Sequence, residues 1–243
     1  MKETQLIMGM PITIEVVDNC KKNVFDEVFD YFRAVDSRFS PYKDTSELNA
    51  INNGLDVDGW STEMKEVMQL CEQTKKITGG YFEIRHKGKI DTSGLVKGWA
   101  IDNAARLIKE KGINNFYVEA GGDIQAEGVN EFGESWDVGI RNPFDISEII
   151  KSISVSGQGV ATSGTYLRGQ HIYDPSGTEV PKGIVSLTVI GPNIFEADRF
   201  ATAAFAMGKS GINYISALPG FAAYMIDDNK RATYTANFSD YVR

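Results

Sequence analysis

The sequence predicts an α+β fold with antiparallel sheet, and three observations carry that reading. Apolar residues recur at three- and four-residue spacing in separated stretches, other stretches alternate apolar with polar residues, and the two kinds follow one another without a βαβ rhythm. No repeat, low-complexity tract or Pro/Gly/Ser-rich linker divides the 243 residues, so residues 1–243 are expected to form one unit.

Each element follows from its residues. Pro11 to Val17 alternates as a half-buried strand does, and Asp18-Asn19 supplies a turn. Val24, Phe25, Val28, Phe29, Phe32 and Val35 lie on one stripe and predict an amphipathic helix over 21–38. Ser61 is the expected N-cap of a second helix through Met64, Val67, Met68, Cys71 and Ile77, which Gly79-Gly80 stops. A third helix is expected to open near Lys97 and run to Gly112, followed by a strand at 115–119 and a bend through Gly121-Gly122-Asp123. Turn residues dominate from Gly128 to Asn142, and strands at 148–155 and 184–190 flank a loop-rich middle. A helix over 196–207 then precedes a hairpin with arms at 221–226 and 231–236, joined by Asp227-Asp228-Asn229.

Composition excludes several classes of function. A hydrophobic share of 42% with 24% charged residues is that of a globular chain, and no run approaches the roughly 18 apolar residues of a membrane span. A formal charge of -8 argues against a nucleic-acid-coating protein, which needs positive faces. The first residues carry an early acid and no apolar stretch of signal-peptide length before Pro11, so a cytoplasmic location is expected. Cys20 and Cys71 lack metal-type or CxxC spacing and read as reduced thiols. With two histidines, His86 and His171, zinc sites and histidine acid-base chemistry have few candidates, and His86 between Arg85 and Lys87 reads as a solvated loop residue. Gly157-Gln158-Gly159 lacks the lysine of a P-loop and does not extend to GxGxxG.

Three segments carry chemistry. In Asp91 to Ala100, small residues lead into a helix with Lys97 in its first turn, which suits an anion; a capped helix start with a solvated lysine is the plain alternative. His171, just before Asp174-Pro175, could be a base oriented by a carboxylate, or simply an exposed histidine. Asp198 and Thr202 stand at i and i+4 and put a carboxylate beside a hydroxyl, an oxygen pair that suits Mg²⁺; an exposed Asp with a packed Thr would look the same.

Taken together and in order, these segments resemble the ApbE family of FAD:protein FMN transferases. The matching stretches are Met8 to Ile14, Phe39 to Tyr42 with Ser46 to Asn49, Gly80 to Glu83, Asp91 to Asp102, Glu119 to Asp123, Ala161 to Gly164, His171 to Pro175, and Ala197-Asp198 with Ala201-Thr202. The resemblance implies Mg²⁺-dependent cleavage of FAD at its pyrophosphate and transfer of FMN to a Thr or Ser hydroxyl of an acceptor flavoprotein, releasing AMP. FAD pyrophosphatase activity, or FAD binding without turnover, is the alternative.

The resemblance also implies roles for particular residues. Met8, Tyr42, Tyr81, Phe82, Glu83, Asp91, Lys97 and Ile172 match positions lining the FAD site. Asp198 and Thr202 match side-chain metal ligands, Gly94 a backbone-carbonyl ligand, and His171 the base for the acceptor hydroxyl. Glu83 departs from the Asp of most members, Asp174 to Gly177 is one residue shorter than the usual motif, and the stretch between Phe82 and Asp91 lacks a common insertion.

Overall fold

The computed structural model describes residues 1–165 and 183–243, so the candidates His171 and Ile172 lie outside the described residues. The chain opens on a hairpin of β1 (Lys2–Ile7) and β2 (Met10–Val16), closed by Met8 and Gly9 with φ of 56° and 71°. A two-residue turn with both φ positive fits the strand twist but favours Asn or Gly. Met8 is held there against a steric cost of roughly 1–2 kcal/mol.

Helix α1 (Asn23–Phe39) buries the whole expected stripe and adds Phe39. Phe25, Phe29 and Phe32 are fully buried, each contributing about 1.5–3 kcal/mol relative to an exposed ring. The short α2 (Glu47–Asn52) follows, then α3 (Thr62–Ile77), whose Ser61 Oγ accepts from Met64 N at 3.1 Å in the expected N-cap. Gly79 and Gly80, at φ of 63° and 89°, turn the chain after it. A small hairpin of β3 (Arg85–His86) and β4 (Lys89–Ile90) corrects the sequence reading of His86, which is half-buried and pairs with Lys89 in that hairpin.

Helix α4 (Ser93–Glu110) begins ahead of the expected Lys97, which therefore stands in its second turn. After it come β5 (Phe116–Ala120), β6 (Asp123–Glu127), β7 (Trp136–Asn142), β8 (Asp145–Val155) and β9 (Gly159–Gly164). The described chain resumes with β10 (Ile184–Gly191), α5 (Ile194–Ala206), α6 (Gly211–Ser216), β11 (Ala222–Asp227) and β12 (Ala232–Tyr234).

The main sheet has the order β1-β2-β5-β6-β9-β10-β11-β12, with every neighbouring pair antiparallel. Its first half packs one face on the helices through Ile12, Ile14, Val16, Phe116 and Val118. Its second half is covered on both faces. Leu187, Val189, Ala223 and Met225 face the helical core, while Val160, Ile190, Ala222, Tyr224 and Ile226 join Trp136, Ile153, Val155 and Phe238 in a second core beneath the β7–β8 hairpin and the C-terminal turn. That double coverage explains why β11 is buried at every position rather than at alternate ones. Among the described residues no helix is long and apolar enough to cross a membrane.

Candidate active site

The site lies on the seam between α4 and α5, where the two backbones approach closely. A Cβ on Gly98 would stand 2.6 Å from Asp198 Cβ and 2.9 Å from Ile194 O, so only glycine fits. The residues of α5 that meet Gly94 and Gly98 are Ile194, Asp198 and Thr202. The close approach lets Gly98 N donate to Asp198 Oδ2 at 2.8 Å. Asp198 is 3% exposed, which sets aside the reading of a solvated aspartate.

Lys97 precedes that glycine and turns its ammonium into the same space. Nζ lies 3.5 Å from Asp198 Oδ1 and touches Asp123 Oδ2 as an ion pair outside hydrogen-bond geometry. Asp123, 1% exposed at the start of β6, is fixed by Thr162 N donating to its Oδ1 at 3.0 Å. The turn before it needs Gly121 and Gly122, at φ of 59° and 97°. Burial and the neighbouring Asp123 carboxylate raise the Asp198 carboxyl to about 7, against the opposing pull of the Lys97 ammonium and the Gly98 N–H.

One helical turn beyond Asp198, Thr202 Oγ1 donates to Gly94 O at 3.2 Å. A Cβ on Gly94 would meet Thr202 Cγ2 at 3.1 Å, so hydroxyl and carbonyl are held in contact. The structure thus brings together Gly94, Asp198 and Thr202, the three residues expected to hold a cation. The donors are hard oxygens, and two buried carboxylates share the Lys97 ammonium. This set fits Mg²⁺, which takes one or two protein carboxylates and completes its shell with phosphate and water oxygens. Among the described residues no group of three or more His, Cys, Asp or Glu is placed to hold a metal.

Lys97 also lines a cleft of about 480 Å³, within the usual size of small-molecule sites. Met8, Tyr42 and Asp91 line it too, with Phe39, Pro41 and Val96 as apolar wall, and Asp36 and Lys43 paired at 2.6 Å within the lining. Tyr42 is 92% exposed, leaving its ring open to a ligand, and the strained Met8 turn forms part of one wall. Asp91 Oδ1 accepts from Ser93 N at 2.9 Å.

The expected Tyr81–Glu83 group sits apart from this cleft. Phe82 is buried, its ring 3.5 Å from where a Gly94 Cβ would stand, and it lines a separate hollow of about 70 Å³ together with Glu83 and Cys71. Partial burial pushes the Glu83 carboxyl up, but Lys75 Nζ at 2.5 Å and the Arg85 N–H outweigh it and hold it below its usual range. Tyr81 is exposed on the turn before Phe82. Asp123 is the residue that sequence reasoning did not single out. Its signal was the Glu119 to Asp123 stretch, which reads as a bend and as one of the matching motifs, without a role for the aspartate.

The antiparallel fold thus carries a concave, partly apolar cleft backed by buried charged groups. The chain belongs to the ApbE family, whose model matches residues 8–88 and 84–225. A protein of Klebsiella pneumoniae named FAD:protein FMN transferase is 33% identical over 147 residues, 56% of this chain and 42% of that protein. One of Vibrio cholerae with the same name is 29% identical over 166 residues, 63% of this chain and 50% of that protein. The chain therefore matches half or less of the length of these curated relatives. Among solved structures, the flavin transferase ApbE from Vibrio cholerae superposes with a TM-score of 0.87 at 22% identity, covering 99% of this chain and 98% of that one. The ApbE protein from Thermotoga maritima gives 0.87 at 20% identity over 100% and 99% of the two chains. These superpositions bear out the α+β, antiparallel reading of the fold.

Proposed function

We propose that this chain transfers FMN from FAD to a Thr or Ser hydroxyl of an acceptor flavoprotein, with Mg²⁺ as the cation and AMP as the product released. The observation that supports it most is one side chain in two places: Lys97 lines the open cleft, and its ammonium reaches the buried carboxylates of Asp123 and Asp198. A dinucleotide laid along the cleft would bring its pyrophosphate to that ammonium. An acidic chain of net charge -8 needs such local neutralisation to hold an anionic substrate.

Within this reading, Met8, Tyr42 and Asp91 contact FAD in the cleft, and the Tyr81–Glu83 turn and Ile172 complete the FAD-binding set. Gly94 O, Asp198 and Thr202 hold the cation, which when bound supplies Lewis-acid polarisation of the phosphoryl group and neutralises the departing phosphate. The acceptor hydroxyl oxygen forms a bond to the FMN phosphorus as the pyrophosphate P–O bond breaks, and the electron pair leaves with AMP. His171 is assigned as the base that takes the hydroxyl proton, a role that accelerates attack by roughly 10²–10⁴-fold.

Incubation with FAD, Mg²⁺ and a co-expressed flavoprotein acceptor tests the reading by in-gel fluorescence. A covalent flavin band that requires both FAD and Mg²⁺ is expected. Stoichiometric release of free FMN and AMP without a band would make the chain a pyrophosphatase, and bound FAD left intact over hours would make it a binding protein.

A further inference from the structure

We propose that Asp123 is a positioning residue: it holds the Lys97 ammonium away from Asp198, leaving Asp198 free for a divalent cation while Lys97 stays on the cleft. The proposal rests on the metal-dependent reading above and adds a residue to it. Three observations carry it. Lys97 has two buried carboxylates within reach, and it is in contact with Asp123 while standing 3.5 Å from Asp198 Oδ1. Asp198 is fixed by its other oxygen, through the Gly98 N–H at 2.8 Å, so Oδ1 is the oxygen for which an ammonium and a metal ion would compete. Asp123 cannot follow Lys97 elsewhere, because it is almost fully buried, bound to Thr162 N and set on a turn of two left-handed glycines.

The physical consequence is a competition between cations. Among the described residues two buried carboxylates share one ammonium, and the position of that ammonium decides which of them it neutralises. With Asp123 charged, the ammonium stays there and leaves Asp198 charged, beside Gly94 O and Thr202. With Asp123 neutral, the ammonium is drawn onto Asp198 Oδ1, neutralises it and repels a second cation at close range, where the low dielectric strengthens both effects.

Titration with Mn²⁺, followed by electron paramagnetic resonance, tests this without any turnover. The comparison uses the wild-type chain, Asp123→Asn, Lys97→Met and the double variant. Asparagine keeps the shape and the acceptor for Thr162 N while removing the charge. We expect Asp123→Asn to weaken Mn²⁺ at least about tenfold when Lys97 is present and by less than about threefold in the Lys97→Met background. Asp123→Glu, which restores the carboxylate, should bind Mn²⁺ within about threefold of wild type, a rescue that keeps the test open should the asparagine variant fold poorly. An equal loss in both Lys97 backgrounds, or wild-type affinity in Asp123→Asn, would overturn the proposal. A wild-type chain that takes up no Mn²⁺ would instead overturn the metal-dependent reading itself.

Discussion

Replacing Gly98 with alanine tests whether the α4–α5 seam is what builds the site. Helix propensity alone predicts a gain, since alanine in a helix interior is favoured over glycine by about 1 kcal/mol. The structure predicts the opposite sign. The added methyl would stand 2.6 Å from Asp198 Cβ, 2.9 Å from Asp198 Oδ2 and 2.9 Å from Ile194 O; all three belong to the packed helix α5, and Asp198 Cβ and Ile194 O cannot give without moving its backbone. Overpacking of this kind costs about 1–3 kcal/mol. Moving the helices apart also stretches the Gly98 N–H bond to a buried carboxylate, and a hydrogen bond to a charged group is worth about 1.5–3 kcal/mol. Set against the propensity gain, the net loss is about 1.5–5 kcal/mol, which for a domain of this size lowers Tm by roughly 3–20 °C. Thermal unfolding followed by circular dichroism reads the change directly. Gly94→Ala serves as the comparison, because its methyl meets the Thr202 Cγ2 methyl at 3.1 Å and Phe82 Cε2 at an ordinary 3.5 Å, both side-chain atoms, and should cost a few degrees at most. A Gly98→Ala variant as stable as wild type would refute the argument that close approach of the two helices dictates glycine here.

Other outcomes follow from the same geometry. Asp198→Ala should abolish metal-dependent turnover while FAD binding, measured by fluorescence quenching, survives in weakened form; unchanged turnover would remove Asp198 from the metal site. For His171→Ala, transfer should fall by roughly 10²–10⁴-fold with a much smaller change in FAD affinity, and an unchanged rate would end its assignment as base. Cys71 is buried, which pushes its thiol up to about 12, so it should resist alkylation at pH 8 until the chain is unfolded, in contrast to the half-exposed Cys20; counting labelled thiols by mass decides this. Asp18 accepts from Asn115 Nδ2 at 2.7 Å, Asn114 N at 2.6 Å and Asn115 N at 2.9 Å, and these bonds hold its carboxyl below the usual range. A depressed folded value stabilises above the unfolded value of about 3.9 and is lost as pH falls through the folded one. Urea unfolding should therefore show Asp18→Asn less stable than wild type at pH 7, with the difference shrinking below pH 4.

The elements that could be read from the sequence are those in which one local signal dominates. The α1 stripe of phenylalanines and valines has no other use than a helical core face, and Ser61 caps α3 as its position suggests. Elements that could not be read are those decided by their neighbours. The strand β1 is an edge strand whose Lys-Glu-Thr-Gln start shows little apolar alternation, with only Ile7 buried. Strand β9, Gly159–Gly164, has the composition of a loop, yet it lies inside the sheet because Gly159 sits against the backbone of Asn193 and Ile194, where any side chain would collide. Helix α4 starts before Lys97, so that Gly94 and Gly98 both fall inside it, and at Gly98 any side chain would collide with Asp198 and Ile194 across the seam.

The same division holds for the site. Asp198 with Thr202 was legible because both lie on one helix at a spacing that forces them together. Asp123 was not, since it meets Lys97 and Asp198 only through the strand order of the sheet. Nor does sequence order reveal that Glu83 would be taken up by Lys75 on α3, apart from the cleft that Met8 and Tyr42 line.

The central claim, transfer of FMN to a protein hydroxyl, is tested most directly by mass spectrometry of an acceptor flavoprotein after incubation with this chain, FAD and Mg²⁺. The account predicts a mass increment of one FMN less water on a single Thr or Ser, absent when Mg²⁺ is chelated. An acceptor of unchanged mass, with FMN and AMP free in solution, would contradict it.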